Sequence, residues 1–196
     1  MDHNLIWALI QSREFTIFDT TARDLHMERQ IEWGRKHQVG NSNIDVTVLT
    51  EETSELNQAL TWDRVSKIDD TLIILEEVAD VDIQTEAVAR LLGGLSGAEF
   101  RQLRNDIIDV YPEKDKIIEY NDDIILLSCD IQQMLCKYTR NGDIHHQLVH
   151  KVVSLNKYMA GLVHIYDWQH IYSDIVNIKL TRIANRINSE LINKNC

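Results

Sequence analysis

In the stretch "VTVLTEETSELNQAL", residues 46–60, Leu49, Leu56, Ala59 and Leu60 recur at the spacing of a buried helical stripe, with Glu52 falling among them. Glu55 follows Glu52 by three, which stacks both carboxylates on one helix face, so at least one leans toward the core. An unpaired charge there is costly, and ordinary salt bridges are the first explanation to test. Local pairing fails that test. From Gln38 to Asp63 there is no Lys or Arg, against Asp45, Glu51, Glu52, Glu55 and Asp63.

The next segment, "TLIILEEVADVDIQTEAVARLL" (71–92), repeats the pattern: Ile74, Val78 and Val81 form the stripe, Glu77 lies within it and Asp80 follows three residues on. From Ile68 to Ala89 it carries seven acids and no Lys or Arg. Two consecutive helices therefore hold inward-leaning carboxylates with no local counter-charge. A divalent cation between them is the simplest source of positive charge.

The rest of the chain reads as helical. It has 196 residues, one proline, seven glycines and a formal net charge of −11, so an all-α fold with few strands is expected. The charge opposes binding to nucleic-acid phosphates and gives no reason to expect an acidic membrane partner. "LIWALI" (5–10) is too short to span a bilayer and is expected to pack on the body. Cys129, Cys136 and Cys196 are odd in number and lack metal-type spacing, which reads as reduced thiols in a cytoplasmic protein. Cys129 and Cys136 are expected as small buried hydrophobes.

Helices are expected over "TARDLHMERQIEWGRK", ending at Gly34 or shortly after, then over the two acidic segments joined near "TWDRVSKIDD". "GGLSG" (93–97) is a break and the strongest candidate boundary, dividing the chain into helical halves 1–95 and 96–196 packed as one globular unit. A short helix then leads to Pro112, and three more cover roughly 115–139, 144–165 and 169–194, with Gly142 and Asp143 as stop and cap. The second half can be laid over the first as a degenerate repeat. Asp130 then falls under Glu52, Gln133 under Glu55, Lys151 under Glu77 and Ser154 under Asp80. Duplication and the general similarity of amphipathic hairpins both account for that match.

Glu51, Glu52, Glu55, Glu77 and Asp80 make the pattern EExxE, 21 residues, ExxD. On two antiparallel helices these pairs bring four carboxylates together in a bundle. Hard oxygen ligands suit magnesium or manganese, and the absence of nearby Cys or His disfavours zinc. The chemistry that fits is hydrolysis of a polyphosphate. His146 and His150 have zinc-like spacing beside His145, but no third ligand is recognisable, and a packed or solvated cluster is the better reading.

The paired motif resembles the all-α nucleoside triphosphate pyrophosphohydrolases, the superfamily of MazG and the dimeric dUTPases. "ERQIEWG" (28–34) looks like a stretch of phage-encoded MazG-like proteins, and "VNIKLTRIANR" (176–186) is distantly similar to the family's basic final helix. The resemblance is firm over roughly residues 25–92. It implies a MazG-like helical bundle that cleaves a nucleoside triphosphate between its α and β phosphates, giving monophosphate and pyrophosphate. It implies magnesium ligands at Glu52, Glu55, Glu77 and Asp80, and at Glu51 an acid that orients or deprotonates the attacking water. Gln30 and Trp33 are candidate nucleobase contacts, with helix packing an equal alternative. Lys179, Arg182 and Arg186 share one helical face and are candidates for the phosphates, with a solvated basic face as the alternative. Assembly as a homo-oligomer, dimer or tetramer, is expected, in the host cytoplasm if the chain is phage-encoded. The competing class is an acidic helical interaction protein such as a DNA mimic, whose carboxylates would spread over the exterior rather than converge.

Overall fold

Helix α4 (Thr71–Gly93) is the axis of the molecule: nearly every residue from Ile74 to Arg90 is buried, polar ones included. In this computed structural model the described residues are 3–38, 43–66, 71–107, 116–141 and 145–193. Among them there is no strand. The other helices are α1 (His3–Ser12), α2 (Thr20–Lys36), α3 (Ile44–Ser66), α5 (Gly97–Asp106), α6 (Ile117–Asn141), α7 (His145–Ile165) and α8 (Gln169–Asn193).

The helical hairpin α3–α4 packs against α6–α7, with α4 on α7 and α3 on α6. Helices α2 and α8 close the outside of α4, α1 lies on α8, and α5 bridges α4 and α7. Across the α4–α7 contact, Asn156 Nδ2 donates to Asp82 Oδ1 at 2.8 Å and to the Asp82 carbonyl at 2.9 Å. A single apolar core runs from Ile6 of α1 through Leu56, Val81 and Ile131 to Leu180 of α8.

Local chemistry sets the helix ends. Asp19 caps α2 by accepting from Ala22 N, and Arg35 and Lys36 occupy its last turn. Helix α4 ends in the expected glycines, where Gly94 takes φ +63°. Ser96 then opens α5 with a capping box to Glu99. Helix α2 ends two residues past Gly34, as expected, and a Cβ at Gly34 would clash with Asp45 Oδ2, so its smallness lets α2 approach α3. The expected turn at Gly142 and Asp143, and Pro112, lie outside the described residues.

One expectation is corrected. Cys129 and Cys136 are exposed rather than buried, because α6 turns Tyr120, Ile124, Ser128, Ile131 and Leu135 inward and the two cysteines fall on the outer face. The "LIWALI" segment packs on the body as expected, with Ile6 fully buried and Leu9 and Ile10 against the core, while Leu5 and Trp7 remain exposed. No helix among the described residues is long and apolar enough to cross a membrane.

Candidate metal and phosphate site

Val46, Leu49, Thr53, Leu56 and Leu60 bury one stripe of α3, and Gln132 of α6 fixes its rotation by donating to Thr53 Oγ1 at 2.8 Å. That orientation turns Glu52 half inward at the edge of the stripe, toward α4. The carboxylates of Glu52, Glu55 and Glu77 converge, each offering an oxygen within 4.8 Å of the others. Asp80 stands beside them and receives a hydrogen bond from the Lys179 ammonium of α8, which is only 6% exposed. Glu51, one residue before Glu52, is exposed.

The cluster carries excess negative charge. Burial, then the neighbouring charges of Asp80, Glu55 and Glu77, push the Glu52 carboxyl from 4.5 up to about 8, against a lowering pull from Lys179. Burial and then Asp80 push Glu77 up to about 7. Asp80 is raised as well, chiefly by burial, with Lys179 opposing. Glu77 Oε2 is buried and has no hydrogen-bond partner. Among the described residues one ammonium, that of Lys179, faces four carboxylates. An all-oxygen donor set with a buried oxygen left unpaired fits a hard divalent cation such as magnesium or manganese.

Other acids of α4 are neutralised within the fold. Arg23 of α2 donates to Glu86 at 2.8 Å and to Asp82 at 3.3 Å, and Arg90 reaches Glu86 at 3.3 Å. The lack of local basic residues therefore means different things at the two sets of positions: Asp82 and Glu86 find arginines, while among the described residues Glu52 and Glu77 do not. The second half supplies a contrast. Lys151 bonds Asp130 at 2.5 Å, at the positions aligned with Glu77 and Glu52, so an ammonium stands where the first half gathers acids.

Gln30 lies two turns along the same groove. It is buried and donates to Asp45 at 3.4 Å and to Gln84 at 3.3 Å. Asp45 is pushed up to about 6, chiefly by burial, while Gln30, Arg186 and Arg35 draw it down. Trp33 stacks on His37, donates from Nε1 to Glu190 at 3.1 Å, and has the Arg186 guanidinium 5.5 Å from its ring centre. Lys179, Arg182 and Arg186 follow one face of α8; Lys179 joins the carboxylates at Asp80, and Arg186 is engaged at Trp33, about 10 Å further along the helix.

Sequence reasoning passes over Trp62 and Gln58. Both line a cavity of about 400 Å³ that Glu55 and Glu77 also border. Trp62 is 60% exposed, unlike Trp33, whose ring is already engaged. The signal was spacing: residue 62 lies seven beyond Glu55, two turns along the same face.

No known protein family, curated protein or solved structure matches this chain in comparison.

Proposed function

We propose that the chain is a magnesium-dependent nucleoside triphosphate pyrophosphohydrolase of the MazG-like, dimeric-dUTPase-like kind. The observation that carries this reading is the convergence of Glu52, Glu55 and Glu77 beside Asp80, with a buried Glu77 oxygen left without a partner. These four carboxylates would hold the metal, whose charge when bound neutralises phosphate oxygens and polarises the phosphoanhydride. Manganese is the expected substitute.

The remaining residues divide the work. Lys179 fixes Asp80 in place and keeps the cluster from carrying its full negative charge. The exposed Glu51 accepts the proton of the water that adds to the α-phosphorus; the bridging oxygen leaves with the β phosphorus as pyrophosphate, and a monophosphate remains. Arg182 and Arg186 extend a basic line from the cluster. The nucleobase stacks on Trp62, with Gln58 reading its edge, in the cavity that abuts Glu55 and Glu77. Assembly as a homo-oligomer belongs to the same reading, and light scattering measures it.

The test is incubation with each common ribo- and deoxyribonucleoside triphosphate, with magnesium and with chelator, followed by identification of both products. Magnesium-dependent formation of monophosphate and pyrophosphate is expected. Absence of cleavage with either magnesium or manganese would overturn the reading and favour the DNA-mimic alternative.

A further inference from the structure

His146 and His150 stand one turn apart on α7, and the sequence offers no recognisable third ligand for them. The fold supplies one. Helix α5 lays Glu99, Gln102 and Asp106 along one face, spaced by three and four, and that face shares a cavity of about 450 Å³ with the two histidines. Leu92, Leu95, Leu103 and Val149 give it apolar walls. None of its lining residues belongs to the carboxylate cluster between α3 and α4.

The two imidazole rings lie against each other, centroids 5.6 Å apart and 17° from parallel, so both project from the same side of α7. Neither ring has a hydrogen bond or ion pair among the described residues. Both side chains are exposed, which leaves their nitrogens open to an entering ion. The two acids across the cavity are not equivalent. Glu99 is committed to the capping box, where its Oε2 accepts from Ser96 N at 2.8 Å and from Ser96 Oγ at 2.7 Å. Asp106 accepts on Oδ1 from Gln102 at 2.8 Å, which steadies the carboxylate and leaves Oδ2 for a second partner.

We infer that His146 and His150 bind a divalent transition metal of the zinc class, with Asp106 as the ligand from α5 and water in the open position. Two histidines four apart on one helical face present two nitrogens to one ion, and imidazole favours zinc over magnesium or calcium. As placed, the three side chains do not meet the spacing of Glu52, Glu55 and Glu77, whose oxygens lie within 4.8 Å of one another. All three are exposed, so turns about their own side-chain bonds close the set. A bound ion ties α5, the first helix after the glycine break, to α7. The site does not depend on the hydrolase reading, and its nitrogen ligands distinguish it from the all-oxygen cluster.

Zinc titration of the full chain, followed by NMR of the histidine ring signals with magnesium in excess, tests the site. His146→Gln and His150→Gln identify the two signals by removing them, and exposure of all the altered positions keeps these variants folded. Both signals are expected to move together and saturate at about one equivalent of zinc, while the signal of His170, a lone exposed histidine, moves little. Loss of either histidine should raise the zinc needed to saturate the other by about tenfold or more, and Asp106→Asn should raise it by about threefold or more. Signals that do not saturate, or that move no further than that of His170, would overturn the inference. So would an unchanged midpoint in either histidine variant or in Asp106→Asn.

Discussion

Glu52 and Glu77 are acids whose folded-state pKa values stand above their ordinary ones, so between pH 4.5 and 8 the folded chain holds protons that the unfolded chain has lost. Stability from these groups is fully present below their unfolded pKa and is lost as the pH rises through about 7 to 8. His26 works the other way at lower pH, since burial depresses it to about 4, and its effect lies below its ordinary 6.5. In chelator, the melting temperature should therefore fall as the pH rises from about 6.5 to 8.5, and magnesium should flatten that slope. A melting temperature that is flat or rising over this range in chelator would contradict the electrostatic assignment. Glu52→Gln removes an acid that folding must keep protonated and should stabilise the metal-free chain at neutral pH by about 1–2 kcal/mol after allowance for solvent screening, while abolishing turnover. Urea unfolding and pyrophosphate release measure the two effects.

Two ammonium–carboxylate pairs, one in each half of the chain's acidic frame, make a comparison at the scale of elements. Lys179 crosses from α8 to Asp80 and is almost wholly buried, whereas Lys151 joins α7 to Asp130 with both side chains more than a third exposed. Lys179→Met should cost about 2–4 kcal/mol in chelator, and Lys151→Met less than about 1 kcal/mol, by urea unfolding. Equal costs would mean that Asp80 is better solvated than its packing indicates. The α2–α3 contact has its own test. Gly34→Ala would press a methyl group onto Asp45 and should cost about 1–3 kcal/mol in the same assay.

Those same elements explain what was legible in the sequence. Apolar spacing revealed the α3 and α4 stripes and the three later helices, because a helix face must bury its apolar residues whatever it packs against. Spacing of three brought out the Glu52–Glu55 and Glu77–Asp80 pairs, which the fold then placed side by side. The origin of the neutralising charge was not legible. Arg23 lies 59 residues from Asp82 and Lys179 lies 99 from Asp80, so only the tertiary path of α2 and α8 brings them in. The cysteines of α6 failed for a related reason: a seven-residue spacing shows that two residues share a face but not which way that face points. The end of α2 shortly after Gly34 was legible, but the closeness of Asp45 to that glycine was not, because it comes from the packing of α3.

At the scale of the whole molecule, α4 belongs to the first half of the chain yet packs along α7 of the second, and one apolar core joins α1 to α8. The halves should therefore not melt separately. Urea unfolding followed by far-ultraviolet circular dichroism and by fluorescence of Trp7, Trp33, Trp62 and Trp168 should give coincident single transitions. Separated midpoints would show that the halves are independent.

Manganese binding to the purified chain, followed by the electron paramagnetic resonance signal of the free ion, bears most directly on the convergence of carboxylates between α3 and α4. At least one ion should bind per chain, and Glu55→Gln and Glu77→Gln, still folded by circular dichroism, should each weaken binding by about tenfold or more. No loss of free-ion signal with the wild-type chain, or undiminished binding by both folded variants, would contradict a metal site at these residues.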